Sequence, residues 1–151
     1  MRFYFSLIFT LAISACLSAR AQLIDTPSEY AVIMDFETGE ILYSKDGDTP
    51  MIPASMTKMM TAHVVFARLE RGEINLDDTI TVSENAWRKG GWATGGSTMG
   101  LQIGEQVSVE DLLRGVIVLS GNDACIVLAE GLSGSEEAFA TRMNRTARAM
   151  G

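Results

Sequence analysis

A serine and a lysine separated by two residues form the first pattern in this chain that could perform chemistry. Ser55 and Lys58 lie in the stretch Pro53-Ala-Ser-Met-Thr-Lys-Met-Met-Thr61. Proline favours the first turn of a helix, where its missing N–H costs nothing, so residues 56–69 are predicted to be helical. One helical turn places side chains three residues apart on the same face, with Cβ atoms about 5–6 Å apart. The lysine amine can therefore reach the serine hydroxyl.

This spacing indicates nucleophilic catalysis. A serine hydroxyl attacks poorly until a neighbouring base takes its proton, and a lysine amine is charged in water at neutral pH. Burial and the positive end of a helix would both favour the uncharged amine. A helix that is apolar on nearly all sides is normally buried, and this one carries Met59, Met60, Val64, Val65 and Phe66. The first turn also leaves the Ser55 backbone N–H free to stabilise an oxyanion.

The same pattern has an ordinary explanation. A Ser-x-x-Lys sequence arises by chance in roughly four of ten chains of this length, and an isolated match is more often a solvated helix face. The residues of this segment alone leave the catalytic pair and the solvated face as equal alternatives.

A second polar group interrupts an apolar stretch 65 residues after Ser55. Ser120-Gly121-Asn122 lies between the apolar segments 116–119 and 124–129. Such local inconsistencies often mark functional sites. In the alternative interpretation, Ser120 or Asn122 simply caps the helix that follows.

Two further features bear on the chemistry. Residues 88–104 contain six glycines, which predicts irregular backbone that is either a surface loop or the border of a binding site. His63 is the sole histidine, so neither a Ser-His-Asp triad nor a histidine-rich metal site can form, and we expect no metal and no cofactor. Cys125 lies in an apolar run and is predicted to be an ordinary core residue.

The first 21 residues predict export. A basic start at Arg2, an apolar run over 3–17 and Ala19-Arg20-Ala21 are typical of a cleaved signal peptide, residues 1–21. A competing pattern, residues 13–16, would instead place a lipid on Cys16. Removing Met1–Ala21 leaves 10 basic side chains against 19 acidic ones, a net charge of −9. This charge argues against nucleic acid as a partner.

The remaining elements predict a mixed architecture. Residues 30–36 and 40–44 are predicted to form a hairpin, with a further extended segment at 77–82. Helices are expected from Ser83 to Trp87 and from Ser108 onward, then up to Gly131, and again from Ser135. Four side chains of the helix after Ser108 are expected to face inward, namely Leu112, Leu113, Val116 and Ile117. In the last helix, Phe139, Met143 and Met150 are expected to lie on one face.

The predicted sheet is small for the number of helices. A single hairpin is marginally stable on its own, and no other clear sheet is apparent in the sequence. We therefore expect residues 22–151 to be the N-terminal part of a catalytic domain whose remainder lies beyond Gly151.

The two polar motifs in this order resemble the serine D-alanyl-D-alanine carboxypeptidases, the low-molecular-mass penicillin-binding proteins. The hairpin, with Asp35 and Thr38-Gly39, and the loop at Trp92-Ala-Thr-Gly95 are similar to that family as well. The resemblance covers residues 30–151. It implies an α+β fold of the β-lactamase/transpeptidase-like type, an α/β sandwich with helices packed on an antiparallel sheet.

The resemblance also implies roles for the matching residues. Ser55 would attack the carbonyl between the two terminal D-alanines of a peptidoglycan pentapeptide stem, and Lys58 would accept its proton. Ser120 would relay a proton to the leaving amine, and Asn122 would orient Lys58 and the substrate amide. β-Lactam antibiotics would acylate the same serine, and the protein would act in the periplasm or on the outer face of the bacterial cytoplasmic membrane.

One expected motif is missing from the chain. The family carries a Lys-Thr-Gly strand that binds the substrate carboxylate, and no Lys-Thr-Gly occurs in these 151 residues. The usual C-terminal domain with its amphipathic membrane anchor is not found either. Loss of one oxyanion donor alone can reduce turnover by ~10²–10³, so residues 22–151 in isolation are expected to be nearly inactive and poorly folded.

Other functions remain open from the sequence. A class A β-lactamase shares the Ser-x-x-Lys motif, although it usually has Asp at the position of Gly121. An endopeptidase or transpeptidase would use the same residues. A protein of a different class, a non-catalytic sensor of β-lactams or peptidoglycan, would also bind at this site.

Overall fold

The computed structural model describes residues 24–151, which form an α+β fold. The described residues divide into two compact units, with the boundary between Met51 and Ile52. The strands are β1 (Ala31–Met34), β2 (Ile41–Lys45), β3 (Thr79–Thr81) and β4 (Gln106–Ser108). The helices are α1 (Thr57–Glu70), α2 (Glu84–Gly90), α3 (Val109–Leu119), α4 (Asn122–Ser133) and α5 (Glu136–Met150). The predicted signal peptide, residues 1–21, and its competing lipidation site at Cys16 lie outside the described residues.

The first unit contains the predicted hairpin. Strands β1 and β2 pair antiparallel, with an irregularity in register between Ile33 and Met34. Asp35 Oδ1 organises the turn by accepting from the Thr38 N–H (2.7 Å) and the Thr38 hydroxyl (2.8 Å). Gly39 follows with a φ of +73°, a conformation that glycine adopts without steric cost.

The second unit contains a small sheet that the sequence did not predict in full. Strand β3 pairs antiparallel with β4, and Ile80 lies opposite Val107. The extended segment at 77–82 is confirmed, but the expectation of a single sheet was wrong. Strand β4 has three residues, too few to show the alternation that identifies a strand.

The core of the second unit lies among its helices. Ala86 of α2 and Val109 of α3 are fully buried. Val65 of α1 and Leu128 of α4 are also fully buried in the same cluster. Phe139 anchors α5 to this core with 2% of its surface exposed. The core thus joins the two helices, α1 and α4, that carry the predicted motifs.

One prediction about an inward-facing residue was wrong. Leu112, Leu113 and Val116 are buried as predicted, but Ile117 is 58% exposed. Ile117 continues the apolar pattern of α3 beyond the point where the helix contacts the core, and the pattern alone does not locate that point.

The predicted end of α4 was also wrong. Gly131 lies within the helix, where it packs closely on Ile80, since a Cβ there would be 2.4 Å from the Ile80 side chain. The helix ends at Gly134, which has a φ of +82°. Gly131 is therefore a close-packing glycine rather than a helix terminator.

Candidate active site

The candidate nucleophile lies on a tight turn that leads into α1. Residues Ala54–Met56 form a 3₁₀ turn, and Ser55 is exposed. Ala54 has a φ of +46°, a left-handed conformation that costs free energy in a residue with a Cβ. Within residues 24–151, no acceptor engages the Ser55 backbone N–H. This N–H is therefore available to an oxygen of a bound substrate.

A single amine connects the two polar motifs. Lys58 Nζ lies 3.4 Å from Ser55 Oγ, which is on the 3₁₀ turn that precedes α1. It donates to the Ser120 carbonyl at 2.7 Å, to Ser120 Oγ at 3.1 Å and to Asn122 Oδ1 at 2.6 Å. The structure thus brings together all four residues that the sequence singled out, although they are up to 67 positions apart.

The surroundings of this amine differ from the expectation. Helix α1 is not buried on all sides, because Met59 is 69% exposed and Phe66 is 49% exposed. Lys58 is half-buried, and its Nζ faces oxygen atoms rather than hydrocarbon. The prediction of a buried, apolar environment for the amine was wrong. The contacts of Nζ depend on the fold of residues 120–122, which the composition of α1 cannot reveal.

The second motif lies at the junction of α3 and α4. Ser120 ends α3 in a left-handed conformation with a φ of +55°, and this turn directs its carbonyl and hydroxyl oxygens to Lys58. Gly121 is the N-cap of α4 and supplies no side-chain cap. The alternative interpretation, in which Ser120 or Asn122 caps this helix, is therefore not what the structure shows. Both side chains contact the lysine instead.

Asp123 is a residue of this region that the sequence analysis missed. Its side chain is fully buried. Oδ1 accepts from the N–H groups of Met99 and Ala124, both at 2.9 Å. Oδ2 accepts from the Thr98 hydroxyl (2.6 Å) and from the N–H groups of Gly100 (2.9 Å) and Leu101 (3.1 Å). An aspartate in the first turn of a helix is common, so its type and position gave no signal of these contacts.

The charge of Asp123 follows from these bonds. Burial raises the pKa of the carboxyl, whereas hydrogen bonds from Thr98, Met99, Leu101 and Ala124 lower it, and the net effect places the pKa below its ordinary value. The carboxylate is therefore ionised at neutral pH.

The glycine-rich segment borders the site rather than lying apart from it. The Asn122 N–H donates to the Ser97 carbonyl at 2.8 Å. A Cβ on Gly96 would lie 2.7 Å from Asn122 Nδ2, so the loop backbone approaches this side chain closely. Of the two interpretations of residues 88–104, the structure favours the loop that borders a binding site.

Two open hollows meet at the serine and the lysine. One, of about 400 Å³, lies between α1, α4 and α5 and reaches Asn122 and Cys125. The other, of about 450 Å³, is lined by Ser120 and by apolar side chains of α1 and α3. Ser55 and Lys58 line both hollows, so a substrate can approach the hydroxyl from either direction.

Cys125 is the other nucleophilic side chain near Lys58. It is partly buried against the core, and burial raises the pKa of its thiol to about 11, opposed in part by the charge of Lys58 and a hydrogen bond with Thr61. A thiol reacts as the thiolate, and this thiol remains protonated at neutral pH. The hydroxyl of Ser55 thus has no competitor of comparable reactivity in the hollow.

His63 is the remaining candidate group near the site. It is exposed on α1 and lines the second hollow together with Ser55 and Lys58. Across residues 24–151, no group of three or more His, Cys, Asp and Glu side chains is placed to hold a metal ion. In the same range, none of the helices combines the length and the hydrophobicity that crossing a bilayer requires.

Comparison with known proteins points to one family. Residues 17–151 match the family model for D-alanyl-D-alanine carboxypeptidases, Peptidase_S11. The chain is 44% identical over 137 residues to the carboxypeptidase DacC of Escherichia coli, a match that covers 88% of this chain and 34% of that protein. It is 40% identical over 121 residues to DacF of Bacillus subtilis, covering 80% and 30%. The chain thus spans about a third of the length of the curated relatives that it matches.

Solved structures agree with the sequence comparison. The carboxypeptidase DacD from Francisella tularensis superposes with a TM-score of 0.73 at 41% identity, covering 85% of this chain and 30% of that one. Penicillin-binding protein 5 from Haemophilus influenzae gives a TM-score of 0.73 at 42% identity, covering 85% and 38%. The predicted α+β fold and family resemblance are confirmed.

Proposed function

Because this chain belongs to the D-alanyl-D-alanine carboxypeptidase family, we propose that the protein removes the terminal D-alanine from peptidoglycan stem peptides through an acyl-enzyme on Ser55. The observation that carries the proposal is the position of Lys58 Nζ, which is within reach of Ser55 Oγ, Ser120 Oγ and Asn122 Oδ1. One base thus contacts the nucleophile and both groups of the second motif.

The contacts of Lys58 suggest how it acts as a base. An uncharged amine has two N–H bonds and one lone pair. The two shortest contacts, to Asn122 Oδ1 (2.6 Å) and to the Ser120 carbonyl (2.7 Å), can accept both N–H bonds. The lone pair is then left for the proton of Ser55, 3.4 Å away, a distance that typically shortens when substrate binds.

The proposed acylation has two steps. Ser55 Oγ forms a bond to the carbonyl carbon of the penultimate D-alanine while its proton passes to Lys58. The bond to the terminal D-alanine nitrogen then breaks, and the leaving amine takes a proton through the Ser120 hydroxyl, 3.1 Å from Nζ. Water later hydrolyses the ester and releases the shortened peptide.

The free N–H of Ser55 supports one half of an oxyanion hole. A helix start directs unpaired N–H groups outward and carries a partial positive charge. In the tetrahedral intermediate, the Ser55 N–H would donate to the oxygen that becomes negative. A second donor is expected from the Lys-Thr-Gly strand of the family, which does not occur in these 151 residues, so we propose that residues 22–151 alone are nearly inactive.

The partners and location follow from the same proposal. The substrate is the peptidoglycan pentapeptide stem, and a β-lactam, which mimics its D-Ala-D-Ala end, would acylate Ser55. Nucleic acid is not an expected partner, and we propose that any membrane association comes through an anchor of the full-length protein. We propose a periplasmic or outer-surface location, with 1–21 as an exported leader and 22–151 as part of the catalytic domain.

Gly121 argues against the class A β-lactamase alternative, which usually has aspartate at this position. Gly121 is buried, and a Cβ there would lie 3.1 Å from Asp123 Oδ1 and 3.3 Å from Met99 Cγ. An aspartate at position 121 would therefore place a second carboxylate beside that of Asp123, in space that Met99 already fills.

The test uses the full-length product of the gene that encodes this chain. The protein is incubated with benzylpenicillin, its intact mass is recorded, and the acylated peptide is sequenced. We expect one penicilloyl group on Ser55, release of D-alanine from a peptide ending in D-Ala-D-Ala, and loss of both in Ser55→Ala. An adduct on another residue, or D-alanine release by Ser55→Ala, would overturn the proposal. Acylation without any D-alanine release would favour the sensor.

A further inference from the structure

Asp123 differs from every other charged side chain that the structure describes. Within residues 24–151 it is the one charged side chain with no exposed surface. Burying a carboxylate is costly unless its charge is compensated. Here the compensation comes from four backbone N–H groups and one hydroxyl rather than from a cation.

Most of these donors belong to the glycine-rich segment. Four of the five lie in residues 98–101, and the fifth is the N–H of Ala124 in the first turn of α4. Residues 98–101 belong to neither a helix nor a strand, so their backbone N–H groups have few other acceptors. The carboxylate therefore joins an irregular loop to the start of a helix.

The adjoining residues carry this constraint to the site. Asn122 precedes Asp123, and its N–H donates to the Ser97 carbonyl next to the segment that Asp123 holds. On the opposite side, α2 approaches closely, because a Cβ on Gly90 would lie 2.3 Å from the Asp123 nitrogen. The backbone of residues 122–123 is thus fixed between α2 and the loop. The side chain of Asn122 extends from that backbone to Lys58 Nζ.

We propose that Asp123 is a positioning residue for the reaction: by binding residues 98–101 it holds the start of α4 so that Asn122 Oδ1 remains on Lys58 Nζ. The inference rests on the proposed function. Asp123 does not contact Ser55, Lys58 or a substrate position, and it acts through Asn122 alone. At the start of α4 its carboxylate accepts the Ala124 N–H, as a serine N-cap accepts a backbone N–H at other helices. The same carboxylate also binds residues 98–101, which border the site.

The closing experiment compares Asp123→Asn with Leu112→Ala in the full-length protein. The amide variant has the same shape, but its NH₂ group cannot accept the N–H bonds that one carboxylate oxygen receives. Leu112 is fully buried in α3, eight residues before Ser120, and its apolar side chain takes no part in the hydrogen bonds of Asp123, so its truncation destabilises the fold without removing a donor from this network. Acylation by a fluorescent penicillin is measured at low temperature, where both variants are folded, together with hydrogen exchange of residues 97–101.

The two variants are expected to differ in both measurements. Asp123→Asn should lose exchange protection at Met99, Gly100 and Leu101, and its acylation rate constant should fall about 10- to 100-fold, because a misplacement of about 1 Å in a catalytic group can cost up to about 100-fold. Leu112→Ala should keep the exchange protection of these residues and the acylation rate constant of the wild type. Normal acylation by Asp123→Asn, or an equal fall in Leu112→Ala, would overturn the inference. Failure of the wild-type protein to acylate would instead count against the proposed function.

A milder variant covers the case in which Asp123→Asn does not fold. Thr98→Val preserves shape and removes one of the five donors. We expect partial loss of protection over 99–101 and a fall in acylation of about three- to tenfold. Full loss of protection with an unchanged acylation rate would show that the loop does not position Asn122.

Discussion

The helices that begin at the site start differently from the helices that begin elsewhere. Helices α2, α3 and α5 each have a serine N-cap whose hydroxyl accepts a backbone N–H, namely Ser83 from Ala86, Ser108 from Asp111 and Ser135 from Ala138. Helices α1 and α4 have Met56 and Gly121 as their N-cap residues, and neither start has a side-chain cap. The helix starts at the site are thus the ones that local sequence does not stabilise.

The two helix starts at the site lack this local stabilisation. The two uncapped helices are stabilised by other means. A 3₁₀ turn leads into α1, and Asp123 holds the start of α4. The site therefore depends on long-range contacts, whereas the other helix starts depend on local ones.

Removing the Lys58 amine, which joins the two uncapped helices, should have the largest effect on the rate of acylation. Lys58→Met keeps the length of the side chain but leaves Ser55 without a base and three oxygen contacts without a donor. We expect β-lactam acylation of the full-length protein to fall by ~10²–10⁴, the usual contribution of a general base. The rate is measured by gel fluorescence after labelling with a fluorescent penicillin.

Lys89→Met is the matched control for this change. Lys89 forms an exposed ion pair with Glu136 at 2.8 Å, and such pairs contribute little to stability. Its acylation rate should equal that of the wild type. A Lys58→Met protein that acylates normally would show that another group takes the proton of Ser55.

Removing a local cap should affect stability and leave the chemistry intact. Ser135→Ala deletes the hydroxyl that accepts the Ala138 N–H at 3.1 Å, at a cost of about 1 kcal/mol. The free energy of unfolding is measured by urea denaturation, and acylation is measured at a temperature well below the transition. A tenfold loss of acylation in this variant would mean that capped and uncapped helices are coupled, contrary to the comparison above.

The features that depend on residues only a few positions apart could be predicted from the sequence. The caps at Ser83, Ser108 and Ser135 follow from residue type and the helical pattern behind them. The hairpin follows from alternation and a turn. Of the site, the proximity of Ser55 and Lys58 follows from helical spacing alone. The fold class was confirmed through the same elements.

The remainder of the site depends on contacts between distant residues. The oxygen environment of Lys58 requires the left-handed turn at Ser120, and the contacts of Asp123 require a loop more than 20 positions earlier. Neither arrangement leaves a periodic pattern in the sequence. For the same reason, Met59, Phe66 and Ile117 were predicted to be buried although they are exposed: composition predicts that a helix is apolar, but not which of its faces finds a partner.

The smallest expected effect concerns the turn that leads into α1. Ala54 has a φ of +46°, where a Cβ costs roughly 1–2 kcal/mol. Ala54→Gly removes this strain but gives the unfolded chain more freedom, which offsets ~0.4–1 kcal/mol. We expect the free energy of unfolding to rise by about 0.5 kcal/mol, the difference between these two effects. Acylation should slow by about two- to threefold, because a more flexible residue places Ser55 less accurately.

The control for this change is the same substitution in the middle of α1. Ala62 is 8% exposed and lies in regular helix, where glycine costs about 0.5–1 kcal/mol relative to alanine. Ala62→Gly should therefore lower the free energy of unfolding, whereas Ala54→Gly should raise it. If urea denaturation gives both variants the same sign, the turn before Ser55 is not strained. The uncapped start of α1 would then be held by the packing of the helix alone, and the nucleophile would need no backbone distortion to face the substrate.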